Sequence, residues 1–386
     1  MRRHSVPLLL SLLSTSTLLA ETVLVLPFFN LNRPKSPDGI GESLAEAVQD
    51  ALAAEGQMIV NRDIRDDTLR RLSVRRYAPL TRGSVMELAL NLDAGVVVSG
   101  EYKMQPGTPD MLQVGVRITD VRHLKKGAEF KESGRMDELS QIQARIAWQV
   151  LGEMLPAKAG TLDFFQQSHP AVRLDALEQY IRGLMSTNAE QKLKFFSTAA
   201  RLENGFSAPC YQMGRLYYAR NSYRSATEWY KKVRTSDPHY RESQFYLGIS
   251  LFETGDYLSA EEAFLKVAET LPLGEVLNNL GATQLRQGRP GAMDSLERAL
   301  EADPQDPVYL FNNGYALWKL GRFDEAATRL RAALERDPTD ESATLLLGRC
   351  LQKSGPRPGD LRTESLEILK TQYNETAWLQ LKALIR

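Results

Sequence analysis

Glycine recurs at Gly214, Gly248, Gly281, Gly314 and Gly348, at intervals of 34, 33, 33 and 34 residues. A period of this length, kept over several copies, marks a helical solenoid: one helix pair repeats, and each pair buries its apolar face on the next. Other positions keep the same beat. Ala226, Ala260, Ala292 and Ala326 follow the first four glycines. Four residues after each alanine comes Tyr230, Phe264, Leu296 or Leu330, and twelve after it comes Pro238, Pro272, Pro304 or Pro338.

Each position has a physical reason. Glycine in the first helix and alanine in the second let two helices approach, and the aromatic or leucine is expected to fill the groove between neighbouring repeats. Proline cannot continue a helix and disfavours helical geometry in the residue before it, so it closes each unit. Gly255, Gly288 and Gly321, with Asn221 in the first copy, fall where each hairpin must turn.

These residues match the tetratricopeptide pattern, and residues 174–355 resemble an array of that family. The array reads as one degenerate copy with Gly183, Phe196 and Ala199, four complete copies, and a half copy, "SATLLLGRCLQKSG". Residues 356–386 are expected to form a capping helix pair over the last apolar face. The resemblance implies that the first helix of each unit lines a concave groove, which receives a protein partner as an extended segment or a helix. Just ahead of the framework glycines stand Gln212, Tyr246, Asn279, Asn313 and Leu346. An asparagine there is expected to bind the backbone of an extended peptide, because an amide both donates and accepts. Tyr218, Phe252 and Trp318, with Arg286 and Lys319 close by, offer aromatic surface and positive charge to an apolar or acidic segment. The competing expectation is plain: the polar residues are solvated and the aromatics pack between repeats.

Residues 21–156 have another rhythm. "TVLVLPFF", "MIVNRD", "GVVVSGEYKM" and "MLQVGVRITDV" read as strands, and "GIGESLAEAVQDALAAEG", "GSVMELALNLDA" and "DELSQIQARIAWQVLGEML" as helices. The fold class expected is therefore α+β: an amino-terminal α/β domain with helices on a small sheet, a linker over 157–173, then an all-α solenoid. The segments "VLVLPFFNL", "DGIGESLAEAVQDAL", "DAGVVVSGEY" and "VGVRITDV" resemble the amino-terminal domain of the TolB family and the related fold of CsgG-type envelope proteins. That resemblance implies work at the bacterial cell envelope.

Residues 1–20 agree with this. Arg2 and Arg3 precede an apolar stretch from Val6 to Ala20, the pattern of a secretory signal peptide cleaved after Ala20. Glu21 stands where a lipid anchor would need cysteine, so a periplasmic or secreted protein is expected, with no stable membrane span after cleavage. Cys210 and Cys350 read as buried, unpaired thiols.

Forty-eight basic residues balance forty-eight acidic ones, which gives no reason to expect nucleic acid as a partner. No metal-binding, phosphate-binding or nucleophile motif occurs, and the four histidines lack ligand spacing, so no catalytic residue, cofactor or metal is expected. "DGIGES" reads as a turn before a helix rather than an anion site. The arginines from Arg62 to Arg82 read as an exposed helix with ordinary ion pairs rather than a docking patch. The functional expectation is a non-enzymatic adaptor. Its rivals are a ligand-sensing or catalytic amino-terminal domain, and a structural protein that self-associates through that domain.

Overall fold

A computed structural model describes residues 22–32, 39–75, 79–105, 110–123 and 125–384. The expected signal peptide, the loop prolines Pro34 and Pro37, Asp38 of "DGIGES" and Arg76 of the arginine run lie outside the described residues.

The amino-terminal elements are β1 (Thr22–Val25), β2 (Phe29–Asn30), α1 (Gly39–Ala54), β3 (Met58–Ile59), α2 (Arg62–Arg71), α3 (Arg82–Asn91), β4 (Val96–Gln105), β5 (Met111–Asp120), β6 (Lys125–Arg135) and α4 (Leu139–Met154). They form one mixed sheet in the order β3-β1-β4-β5-β6, with β2 beside β4. Strand β1 is parallel to β3 and β4, whereas β4, β5 and β6 form an antiparallel meander. Alternation along the strands sends side chains to both faces. Val23, Val25, Val96 and Val98 meet α1 and α4, while Leu24, Leu26 and Val97 meet α2 and α3.

Strand β6 was not expected. Its sequence, "KKGAEFKESGR", looks like a charged loop, but it is an edge strand whose Ala128 and Phe130 turn to the α1/α4 core. The arginine run is partly corrected as well. Arg70 and Arg71 pair with Asp67 at the surface, as expected of an exposed helix. Arg65, in contrast, is fully buried; it donates to Glu42 at 3.1 Å and to Asp66 at 3.0 Å. Gly41 of "DGIGES" is needed for close approach, since a Cβ there would lie 2.1 Å from the carbonyl oxygen of Phe28.

Residues 157–173, expected as a linker, contain helix α5 (Leu162–Ser168), whose Phe165 joins the first core. The helical half then runs α6 (Leu174–Met185), α7 (Ala189–Leu202), α8 (Ser207–Tyr218), α9 (Tyr223–Tyr230), α10 (Tyr240–Glu253), α11 (Tyr257–Ala268), α12 (Gly274–Arg286), α13 (Ala292–Ala302), α14 (Pro307–Lys319), α15 (Phe323–Arg336) and α16 (Glu341–Leu351). The two halves share a core: Leu177, Tyr180, Ile181, Phe196 and Met213 pack with Leu44 and Ile142. The Tyr180 hydroxyl also donates to Glu46 at 3.3 Å.

The framework glycines act within each repeat rather than between repeats. A Cβ at Gly214 would fall 2.5 Å from the Tyr230 ring, one at Gly248 2.7 Å from Phe264, and one at Gly281 2.7 Å from Leu296. The large residue therefore seats on the glycine of its own hairpin. Cys210 and Cys350 are buried in separate clusters, the first with Tyr211 and Phe245, the second with Leu346 and Leu330.

The largest departure is at the end of the chain. In place of the expected helix pair over 356–386, residues 352–374 form no helix, and only α17 (Glu375–Leu384) is helical. Gly355, Pro356, Pro358 and Gly359 prevent helix continuation. The chain instead turns back and crosses the first helices of the repeats, from α14 to α12 and α10.

A candidate peptide groove

The groove is built on the first helices of successive repeats, α10, α12 and α14, and the returning segment lies along them from late repeats to early ones. Trp318 on α14 donates through Nε1 to the Ser354 carbonyl at 2.8 Å, and Tyr315 donates to the Thr363 carbonyl at 2.8 Å. Asn312 donates to the Ile368 carbonyl at 2.7 Å and accepts from the Ile368 amide at 2.9 Å. One repeat earlier, Asn279 donates to the Lys370 carbonyl at 2.8 Å and accepts from the Lys370 amide at 2.7 Å. Alternate residues thus offer both backbone groups to the same wall, as an extended strand does. Asn278 ties the two clasps together: it donates to Asn279 at 3.1 Å and to the Ile368 carbonyl at 3.1 Å, and accepts from Asn312 at 2.8 Å.

Two side chains of the segment are also held. Arg286 donates to Glu367 at 2.6 Å, with Lys319 3.8 Å away, and the Glu367 side chain is completely buried. Arg286 lies over the rings of Phe252 and Tyr257 and donates to the Tyr257 hydroxyl at 3.0 Å, which fixes its guanidinium. On the far side of the backbone clasps, Lys370 pairs with Asp306 at 2.5 Å and sits over the Tyr309 ring. Beyond it the contacts become aromatic. Tyr373 packs on Phe245, Tyr246 and Trp378.

A family model described as tetratricopeptide repeat matches residues 211–275 and 311–355. The chain carries tetratricopeptide repeats.

Among relatives, the cell division cycle protein 16 homologs of Homo sapiens and Mus musculus are each 25% identical over 174 residues, covering 42% of this chain and 28% of theirs. The chain thus spans less than a third of these curated relatives. Among solved structures, YrrB, described as a TPR protein with an unusual peptide-binding site, is 23% identical. It covers 41% of this chain and 82% of its own, with a TM-score of 0.36. The MamA RS-1 ArsTM double mutant is 20% identical, covers 45% of this chain and 99% of its own, and has a TM-score of 0.40.

Of the residues expected to line the tetratricopeptide groove, Asn279, Arg286, Trp318 and Lys319 touch the returning segment directly. Tyr218 does so more distantly, donating to the Thr371 carbonyl at 3.4 Å. Phe252 supports Arg286 from beneath, and Tyr246 meets Tyr373. Gln212 hydrogen-bonds the Tyr180 hydroxyl. Leu346, in the half copy, is buried core.

Asn313 is a correction. It is buried, its Nδ2 has no hydrogen-bond partner, and it stands one residue before Gly314, whereas Asn279 stands two before Gly281. The equivalent residue is Asn312. Counting back from each glycine would have found it, and the paired amides of "LNNLG" and "FNNGY" carry Asn278 as well. Asp306 and Tyr315 had no comparable signal, because their partners lie 64 and 48 residues away. Among the described residues, no group of three His, Cys, Asp or Glu side chains converges so as to hold a metal, and no helix is long and apolar enough to cross a membrane.

Proposed function

We infer that this is an exported, non-enzymatic adaptor that recruits a protein partner to its concave tetratricopeptide groove in assembly or maintenance of the cell envelope. A tetratricopeptide fold serves protein binding, and the observation supporting the groove as the recruiting surface is the pair of clasps by Asn279 and Asn312. They hold backbone without reading side chains, which is what capture of an extended segment requires. Export rests on the pattern of residues 1–20, and the envelope setting on the TolB-like order of the first domain. That domain shares a core with the first repeats, so it presents the groove in one fixed orientation.

The test is crosslinking in cells, comparing wild type with Asn279→Ala/Asn312→Ala at matched abundance and thermal stability. A protein captured from the envelope fraction and lost selectively in the variant supports the reading. An identical set of captured proteins from both chains sinks it. Amino-terminal sequencing of the same material tests export, with Glu21 expected as the first residue.

A further inference from the structure

The groove already holds a segment, and that segment shows what it selects. We propose that residues 363–374 are an internal ligand of the groove, and that the partner enters by displacing them with an extended segment bearing a glutamate three positions before a lysine. This rests on the groove reading above and adds a chemistry and a competitor to it.

The backbone clasps do not choose a sequence; the charged pair does. At one end, Arg286 and Lys319 converge on a single carboxylate, and the stacking of Arg286 on Phe252 and Tyr257 holds that cationic site in place. At the other end, Asp306 receives one ammonium group beside Tyr309. Asn312 and Asn279 fix the backbone of Ile368 and Lys370, which sets the spacing of the charges at three residues. A glutamate at the Arg286 site meets complementary charge with its chain in only one direction; reversal would put lysine beside Arg286 and glutamate beside Asp306. The groove therefore reads polarity as well as charge.

The tail is placed to be exchanged. Residues 352–374 belong to no helix or strand, and the turn at 355–359 that leads into the groove is largely exposed. Helix α17 anchors the far end separately, with Trp378 buried against Phe245 and with Lys382 donating to the Pro238 carbonyl. The central strand can leave while both ends stay attached. Because it is covalently tethered, it competes at high effective concentration, so an outside segment binds weakly until the tail is loosened.

The test uses the full chain and a fluorescent peptide of residues 363–374, followed by anisotropy. Wild type is compared with a chain whose own tail carries Glu367→Ala/Lys370→Ala. At least tenfold tighter binding to the loosened chain is expected, and at least tenfold weaker binding of a peptide with its Glu and Lys exchanged. Adding Asn279→Ala/Asn312→Ala to the loosened chain should abolish binding. Should the loosened chain fold poorly, a wild-type chain cut after folding at a protease site inserted at 355–359 replaces it, and the labelled peptide should exchange into the cut chain. Equal affinity for wild type and loosened chain overturns the competitor. Equal affinity for the exchanged peptide overturns the charge rule and leaves the groove reading standing. No peptide binding to a chain whose tail is mobile by hydrogen exchange removes the groove reading itself. A wild-type dimer whose tail crosslinks into the other copy's groove also overturns the proposal, with the second copy as occupant.

Discussion

Asn312 closes a two-point clasp on Ile368, donating to its carbonyl at 2.7 Å and accepting from its amide at 2.9 Å. One repeat earlier, Asn279 does the same to Lys370, so each repeat advances two residues along the bound strand. Two extended residues span about 6.6 Å, less than the ~8–10 Å between packed helix axes. A longer run of clasps would slip out of step. At the third equivalent position the residue is Tyr246, and a ring contact with Tyr373 takes over.

Replacing Asn312 removes a buried amide, strands the Ile368 amide and the Asn278 oxygen, and leaves the Ile368 carbonyl to Asn278 alone. Asn312→Ala should cost about 1–3 kcal/mol in urea unfolding and speed hydrogen exchange at the Ile368 amide. Asn313→Ala deletes an Nδ2 that bonds to nothing, so its cost should be clearly smaller. Equal losses at the two positions would contradict the geometry described.

Arg286 is the main counter-charge of a carboxylate that never meets water. Arg286→Ala should destabilise the fold by about 3–5 kcal/mol, the usual cost of stranding a buried charge. Arg286→Met combined with Glu367→Gln should lose markedly less. The comparison is a double-mutant cycle at constant pH, and additive losses would argue against the pair.

Two glycines of the same framework should respond with opposite sign. Gly248→Ala drives a methyl group to within 2.7 Å of the Phe264 ring and should destabilise by about 1–3 kcal/mol. At Gly348 nothing lies within 4 Å of a new Cβ, so Gly348→Ala should stabilise helix α16 by about 0.5–1 kcal/mol. Thermal melts of both variants decide the matter.

The attraction between Asp50 on α1 and His239, at the start of α10, should weaken in alkali. Burial opposes charge on His239, but Glu242, Asp237 and Asp50 outweigh it and raise its pKa from 6.5 to about 9. Burial, then Glu46, raises the Asp50 carboxyl from 3.8 to about 8, against the pull of His239. Both folded values exceed the unfolded ones, so each group favours the fold when protonated. The His239 contribution is complete below pH 6.5 and lost as pH rises through 9; that of Asp50 is complete below pH 3.8 and lost through 8. Unfolding in urea at pH 6 and pH 9 should show lower stability at pH 9, and His239→Gln should shrink the difference. An unchanged difference in His239→Gln would exclude the histidine as its source.

What could be read from the sequence follows how far each residue's partners lie. The repeat was plain because Gly248 and Phe264 sit 16 residues apart in a pattern copied along the chain. Asn279 was found from the same frame, and Asn312 was missed by one position within it. The path of the tail was hidden: "ESLEILK" has the apolar spacing of a helix, and the amides that hold it extended lie 56 and 91 residues earlier. Arg65 likewise looks like a surface charge until Glu42, 23 residues before it, is folded against it. Strand β6 shows almost no apolar alternation because an edge strand needs only one sparsely filled face.

Stacked repeats touch only their neighbours, so an isolated array can fray from either end and bend like a spring. Here one segment runs from Ser354 beside Trp318 to Lys382 of α17 beside Pro238, bridging repeats that are not neighbours in the array. It is strung across the mouth of the coil as a cord across a bow. Curvature and end-fraying are restrained while it is in place, and both are set free together when it leaves.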